Sequence, residues 1–181
     1  MSSTATMWSQ AWQWLRFRSS ATILNGMTKP FVLQPGEGRL LDLGNFEAVI
    51  LADAPATSGA FTVLQTQGEP SGFGPPLHVH RNAAEAFYIL EGTYRIHVED
   101  RQDLCGPGSF VYVPPDVVHT FVVVSEEPGK KLNLFSPAAM VGFFEDLAEA
   151  EANGTATSDR LSEISEINHM GIVGPVPGTY L

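Results

Sequence analysis

A chain of 181 residues with 44% hydrophobic and 17% charged content is long enough for one domain with a sizeable core and too apolar to be disordered. Its formal net charge of −10 repels phosphate backbones and argues against nucleic acid as a partner. A single cysteine, Cys105, excludes an internal disulfide framework and fits a reducing, cytoplasmic compartment; no apolar run reaches the ~20 residues of a transmembrane helix.

The chain opens on a distinct compositional unit, residues 1–26. No acidic residue precedes Glu37, whereas Arg16, Arg18, Lys29 and the tryptophans Trp8, Trp12 and Trp14 all do. Trp8, Ala11, Trp12 and Leu15 fall at helical spacing, so residues 7–18 predict an amphipathic helix. Arginine and serine without acid is the composition of a transit peptide, such as one for mitochondrial import, or of a membrane-surface helix. The favoured expectation is plainer: a helix docked on the domain or on a second subunit, or an extension upstream of a start at Met27. A homodimer is the expected way to bury so apolar a stripe.

Residues 27–137 read as short strands and turns. Phe46 to Leu51 and Ala60 to Leu64 are apolar-rich, and Ala86 to Leu90 runs into a turn at Glu91-Gly92. Tyr94, Ile96 and Val98 alternate with Arg95, His97 and Glu99, as in a half-buried strand. Gly106-Pro107-Gly108 is a strong turn. Ser109 to Val113, Val117 to Val124 and Lys131 to Phe135 complete the set, and this rhythm predicts a sandwich or barrel. Beyond Pro137 the period becomes helical over residues 138–181. Val141, Phe144, Leu147 and Ala148 mark one helix ending near Gly154, and Leu161, Ile164 and Ile167 a second short one. Gly171 to Leu181 reads as a Gly/Pro-rich tail. These last segments are expected to cover the barrel mouth or to pack outside it.

The chemistry concentrates between Gly72 and His119. His78 and His80 alternate by two, so on a strand they share a face. Glu85 follows after a gap suited to a strand-turn-strand crossing, and a third imidazole stands at His119. Three ring nitrogens and one carboxylate make a seat for a borderline divalent metal. His97 alternates with inward-facing residues and is expected outside the site. His169, near the tail, reads as a surface residue, and Cys105 as a packing residue without a basic neighbour to activate it.

The spacing carries a family resemblance. Gly72, His78-x-His80, Glu85 and Gly92 stand at the intervals of the first motif of the cupin superfamily, and Gly108, Pro114 and His119 at those of the second. Asp116 occupies a position where glycine is usual and Val123 one where asparagine is usual. Gly74-Pro75-Pro76-Leu77-His78-Val79-His80, the run Glu85 to Gly92, Gly142-Phe143-Phe144-Glu145 and the closing Gly174 to Leu181 resemble the single-domain, quercetinase-like cupins. The resemblance runs from about Met27 to the last residue.

It implies an all-β jelly-roll barrel with C-terminal short helices and an N-terminal helical extension. It further implies that His78, His80, Glu85 and His119 ligate one divalent transition metal: iron, nickel, manganese, cobalt, copper or zinc. The activity implied is a dioxygenase of the quercetinase type, with Glu85 as base, a small hydrophobic or aromatic substrate, and O2 as co-substrate. Non-oxidative cyclisation, isomerisation or decarboxylation of an enolic or polyketide-like substrate would use the same site, as would a small-molecule-binding protein without turnover. Strand alternation puts Phe87 and Ile89 on the face of Glu85 and Phe121 on that of His119, which makes them candidate pocket residues. Phe110 and Tyr112 share a face and join the candidates, although alternation leaves open which side that face meets. With no arginine or lysine cluster beside the ligands, phosphosugar isomerase chemistry is disfavoured.

Overall fold

The structure, a computed structural model, describes residues 29–175. The expected N-terminal helix at 7–18 and the end of the tail lie outside the described residues.

Eleven strands, three helices and their turns make up the described chain. The strands are β1 (Arg39–Asp42), β2 (Glu47–Ala52), β3 (Thr62–Glu69), β4 (Leu77–His80), β5 (Ala84–Glu91) and β6 (Tyr94–Val98). They continue with β7 (Arg101–Cys105), β8 (Phe110–Val113), β9 (His119–Val123), β10 (Gly129–Ser136) and β11 (Met170–Gly174). The helices are α1 (Ala54–Thr57), α2 (Val141–Ala152) and α3 (Ser158–Ile167). A six-stranded sheet in the order β1-β2-β3-β10-β5-β8 faces a five-stranded sheet in the order β11-β4-β9-β6-β7, and every pairing is antiparallel. Successive strands that cross between sheets, β4 to β5 above all, give the jelly roll.

Period-two patterning drives this layering. In β6, Tyr94 and Ile96 are buried while Arg95 and His97 are only partly so. In β10, Lys131, Asn133 and Phe135 point inward. Phe87, Ile89, Tyr94, Ile96, Phe121 and Val123 fill one end of the space between the sheets. Fully burying such side chains contributes about 1.5–3 kcal/mol each.

The segment after Pro137 differs from the expected helices-plus-tail in one respect. Residues 170–174 form β11, which pairs with β4 at Met170↔His80 and Ile172↔His78. A strand there satisfies the backbone of β4, which otherwise pairs with β9 only at His78↔His119. α2 lies over the open side of the barrel, with Phe143 and Ala150 buried. α3 starts at Thr157, whose side chain accepts from the Arg160 amide, and buries Ile164. Ile167 does not share that buried face: it is 66% exposed, at the last turn of the helix.

Asp116 sits at φ 63°, the left-handed region where glycine is favoured, and its amide donates to the His80 carbonyl. Aspartate tolerates this conformation better than most residues, so the turn survives without glycine. We expect Asp116→Gly to leave stability unchanged or raise it by up to ~1 kcal/mol, and Asp116→Val to cost about 1–2 kcal/mol, in urea denaturation.

Candidate metal centre

Both sheets contribute to the interior cluster. β4 brings His78 and His80, and its neighbour β9 brings His119 into register with His78. Glu85 arrives from the opposite sheet, on β5, paired with Phe135 of β10. All four are buried, between 1% and 5% exposed, and one donor atom from each lies within 4.8 Å of the others. Among the described residues no other such group forms. His97 stays on the far face of β6, and His169 is exposed after α3.

The protonation pattern follows from the hydrogen bonds. His78 Nδ1 lies 2.8 Å from the Pro76 carbonyl and His119 Nδ1 2.9 Å from that of Val117. A carbonyl only accepts, so each Nδ1 carries the proton, and in the neutral ring Nε2 presents a lone pair. His119 Nε2 nevertheless stands 3.0 Å from Glu85 Oε2, and His80 Nε2 2.8 Å from the same oxygen. A lone pair facing a carboxylate oxygen at that distance is repulsive unless a cation, either a proton or a metal, lies between them. The spacing suits a metal: bonds of about 2.1 Å set neighbouring donors about 3.0 Å apart at right angles. The four residues therefore could hold a metal ion, and the donor set of imidazoles and a carboxylate suits several divalent transition metals.

Without a metal the cluster balances its charge with protons. Burial pushes the His78 imidazole down to about 3, with the neighbouring His119 and His80 adding to the effect. Burial alone would raise the Glu85 carboxyl, but the imidazoles of His80 and His119 outweigh it and hold Glu85 below the usual carboxylate range. His119 is likewise disfavoured as a cation by burial, and its bond to Glu85 reverses that, so its affinity for a proton rises.

A cavity of about 310 Å³ opens onto the cluster, with His78, His80 and Glu85 on its wall. Its other walls are largely apolar: Phe46 and Phe73 on one side, Phe121 within, and Phe143, Phe144 and Leu147 from α2 above. α2 thus forms part of the cavity roof. Of the candidate pocket residues, Phe121 alone lines this cavity. Phe87 and Ile89 face inward as alternation demands but are enclosed in the barrel core, at 2% and 0% exposure. Phe110 and Tyr112 are corrected outright. They project from edge strand β8 on the outer side of the sheet, 67% and 58% exposed, because it is Val113 that turns inward there.

Of the polar cavity residues unrecognised in the sequence, Asn45, Lys131, Asn133 and Glu151, two lie on β10: Lys131 and Asn133. Their signal was present: both lie at even spacing from the inward Phe135 on a strand already recognisable from its pattern. Lys131 is a single lysine, 1% exposed and ion-paired with Glu69.

A two-layered β-barrel with an interior cluster of three histidines and a glutamate is the architecture of a metal-site jelly roll. Residues 67–135 match the cupin domain family, and in sequence the chain resembles the quercetinase-like cupins. It is similar to quercetin 2,3-dioxygenase of Bacillus subtilis (strain 168), with 32% identity over 120 residues. That alignment covers 66% of this chain and 35% of the relative, so the chain spans about a third of the relative's length. Among solved structures, KdgF from Halomonas sp. superposes with a TM-score of 0.51 at 17% identity, over 60% of this chain and 94% of that one. An RmlC-like cupin from Shewanella frigidimarina gives 0.50 at 21% identity, over 61% and 92%. These two likenesses bear on the fold. No helix among the described residues is long and apolar enough to cross a membrane.

Two outcomes are expected. Protein purified without chelator should carry close to one transition-metal ion per chain by elemental analysis, and His80→Ala or His119→Ala should lower that to under about a tenth. In the metal-free protein, a His78 proton affinity held below its unfolded value means the unfolded chain binds more protons between pH ~6.5 and ~3. Stability should therefore fall as pH drops through that window, and His78→Gln should flatten the dependence in denaturant titrations.

Proposed function

We propose that this cupin is a metal-dependent dioxygenase of the quercetinase type, cleaving a flavonol-like or enolic aromatic substrate with O2. The observation that carries the proposal is the opening of the His78, His80, Glu85 and His119 cluster into a cavity walled by phenylalanine. Such walls favour a flat apolar ligand over a sugar phosphate. The similarity to a quercetin 2,3-dioxygenase supports the same direction.

In this proposal the four side chains hold the metal, which when bound acts as a Lewis acid and favours the anion of an enolic hydroxyl. The phenylalanines of the cavity orient the ring system and exclude water. Glu85 is the proton acceptor. Its Oε2 is occupied by His80 and His119, whereas Oε1 has no hydrogen-bond partner among the described residues. An ionised carboxylate on the cavity wall can thus take the enol proton at Oε1. The enolate so formed is electron-rich at the ring carbon that combines with dioxygen. Both atoms of O2 enter the products, a ring-opened ester and carbon monoxide. The closed apolar roof protects the reactive species from water.

Oxygen consumption and carbon monoxide release should appear together when a flavonol is added in air, and neither should occur under nitrogen. Glu85→Gln keeps the side chain's shape but removes the basic oxygen, and should lower kcat/KM about a hundredfold or more. Flavonol turnover in the absence of oxygen would instead identify a non-oxidative reaction, and stoichiometric binding without turnover a binding protein.

A further inference from the structure

The cavity has a second polar pole that the metal cluster does not use. Along β10, Phe135, Asn133 and Lys131 pair with Glu85, Phe87 and Ile89 of β5. Asn133 is thus one inward position removed from the metal cluster and Lys131 two, a strand distance of roughly 13 Å from Phe135 to Lys131. Both residues line the same cavity as His78, His80 and Glu85.

Lys131 is fully engaged. Its ammonium donates to Thr66 Oγ1 at 3.1 Å and to Glu69, and it lies 3.9 Å from the centroid of the Phe121 ring. Tyr94 donates its hydroxyl proton to the other Glu69 oxygen. Asn133 is different. Its Nδ2 donates to Thr66 Oγ1 at 3.4 Å, while its Oδ1 takes no hydrogen bond from any described residue, in a side chain only 3% exposed. An amide oxygen on a cavity wall that takes no hydrogen bond from the protein is open to a donor supplied by a ligand. Lys131 and Asn133 share Thr66 Oγ1, so the fixed cation stands beside this acceptor. A neighbouring cation favours an acidic O–H, whose oxygen can carry negative charge, over an aliphatic alcohol or an amine.

We propose that Asn133 and Lys131 form a second anchor that selects ligands bearing a phenolic hydroxyl at the end remote from the metal cluster. Asn133 accepts the phenolic proton in a hydrogen bond, and Lys131, held by Glu69 and Thr66, stabilises charge on the phenolic oxygen. The anchor is a specificity device and rests on the cavity being the substrate site.

The test uses two probes, quercetin, which carries phenolic hydroxyls remote from its enol, and 3-hydroxyflavone, which carries only the enol. Binding of each to the full-length metal-loaded protein is titrated under nitrogen, so that no turnover intervenes. The wild type should prefer quercetin by about tenfold or more. Asn133→Leu should bring the two affinities within about twofold of each other while leaving that for 3-hydroxyflavone within about threefold of wild type. Lys131→Met alone would strand the buried Glu69 carboxylate, so the lysine is tested as Lys131→Met with Glu69→Gln, and the preference should again fall. A preference that persists in Asn133→Leu overturns the anchor. Equal affinities in the wild type, a comparison that needs no variant, overturn it too and leave the cavity reading intact. Failure of both probes to bind the wild type overturns the anchor and the flavonol reading together.

Discussion

Everything about the centre follows from one carboxylate oxygen. Glu85 Oε2 is held within hydrogen-bonding distance of two imidazole nitrogens in an interior that water barely reaches. Burial by itself would discharge the carboxyl and keep the His78 and His119 rings neutral. Brought together they require a positive charge at their common point. Protons can supply it, and so could a metal, which His78, whose ring resists protonation, would also help to hold. The two sheets are what force the approach: the imidazoles belong to one and the carboxylate to the other, so the layers can close only if the cluster is balanced.

The second polar pole shows the same logic with a different solution. Lys131 and Glu69, each 1% exposed, form a buried ion pair, and Tyr94 and Thr66 supply the remaining hydrogen bonds. A buried ion pair of this kind seldom adds much net stability, since desolvation consumes most of the attraction. Its value lies in fixing a charge at a defined place. The barrel thus encloses two polar sites, one unsatisfied without a central cation and one internally paired except for an amide oxygen, with an apolar space between them.

The roof of that space comes from a part of the chain distant in sequence. α2 contributes Phe143, Phe144 and Leu147, and β11 closes against the strand that carries two of the histidines. The C-terminal segment is therefore tied to the centre through the backbone of β4 as well as through side chains. The effect of changes there should be read in the geometry of the site as well as in overall stability.

The barrel and the four cluster residues were legible in the sequence because both depend on short-range rules. Alternation by two sets the face of His78 and His80, and turn residues such as Gly92 and Gly108 end strands at regular intervals. Motif spacing then carried His119 into the same group. What alternation could not decide was which of two faces meets the interior on an edge strand, so Phe110 and Tyr112 turned out to lie on the outer surface. Nor could it separate a core position from a cavity wall, which distinguishes Phe87 and Ile89 from Phe121. Residues 170–174 read as tail because a strand so short is specified by its partner, β4, more than by its own composition. The sequence alone determined the fold class, the strand rhythm and the candidate donors, all local properties of the chain. Only the tertiary structure decided the cavity, its roof and the Lys131–Asn133 pole, because each depends on packing between segments that no local pattern encodes.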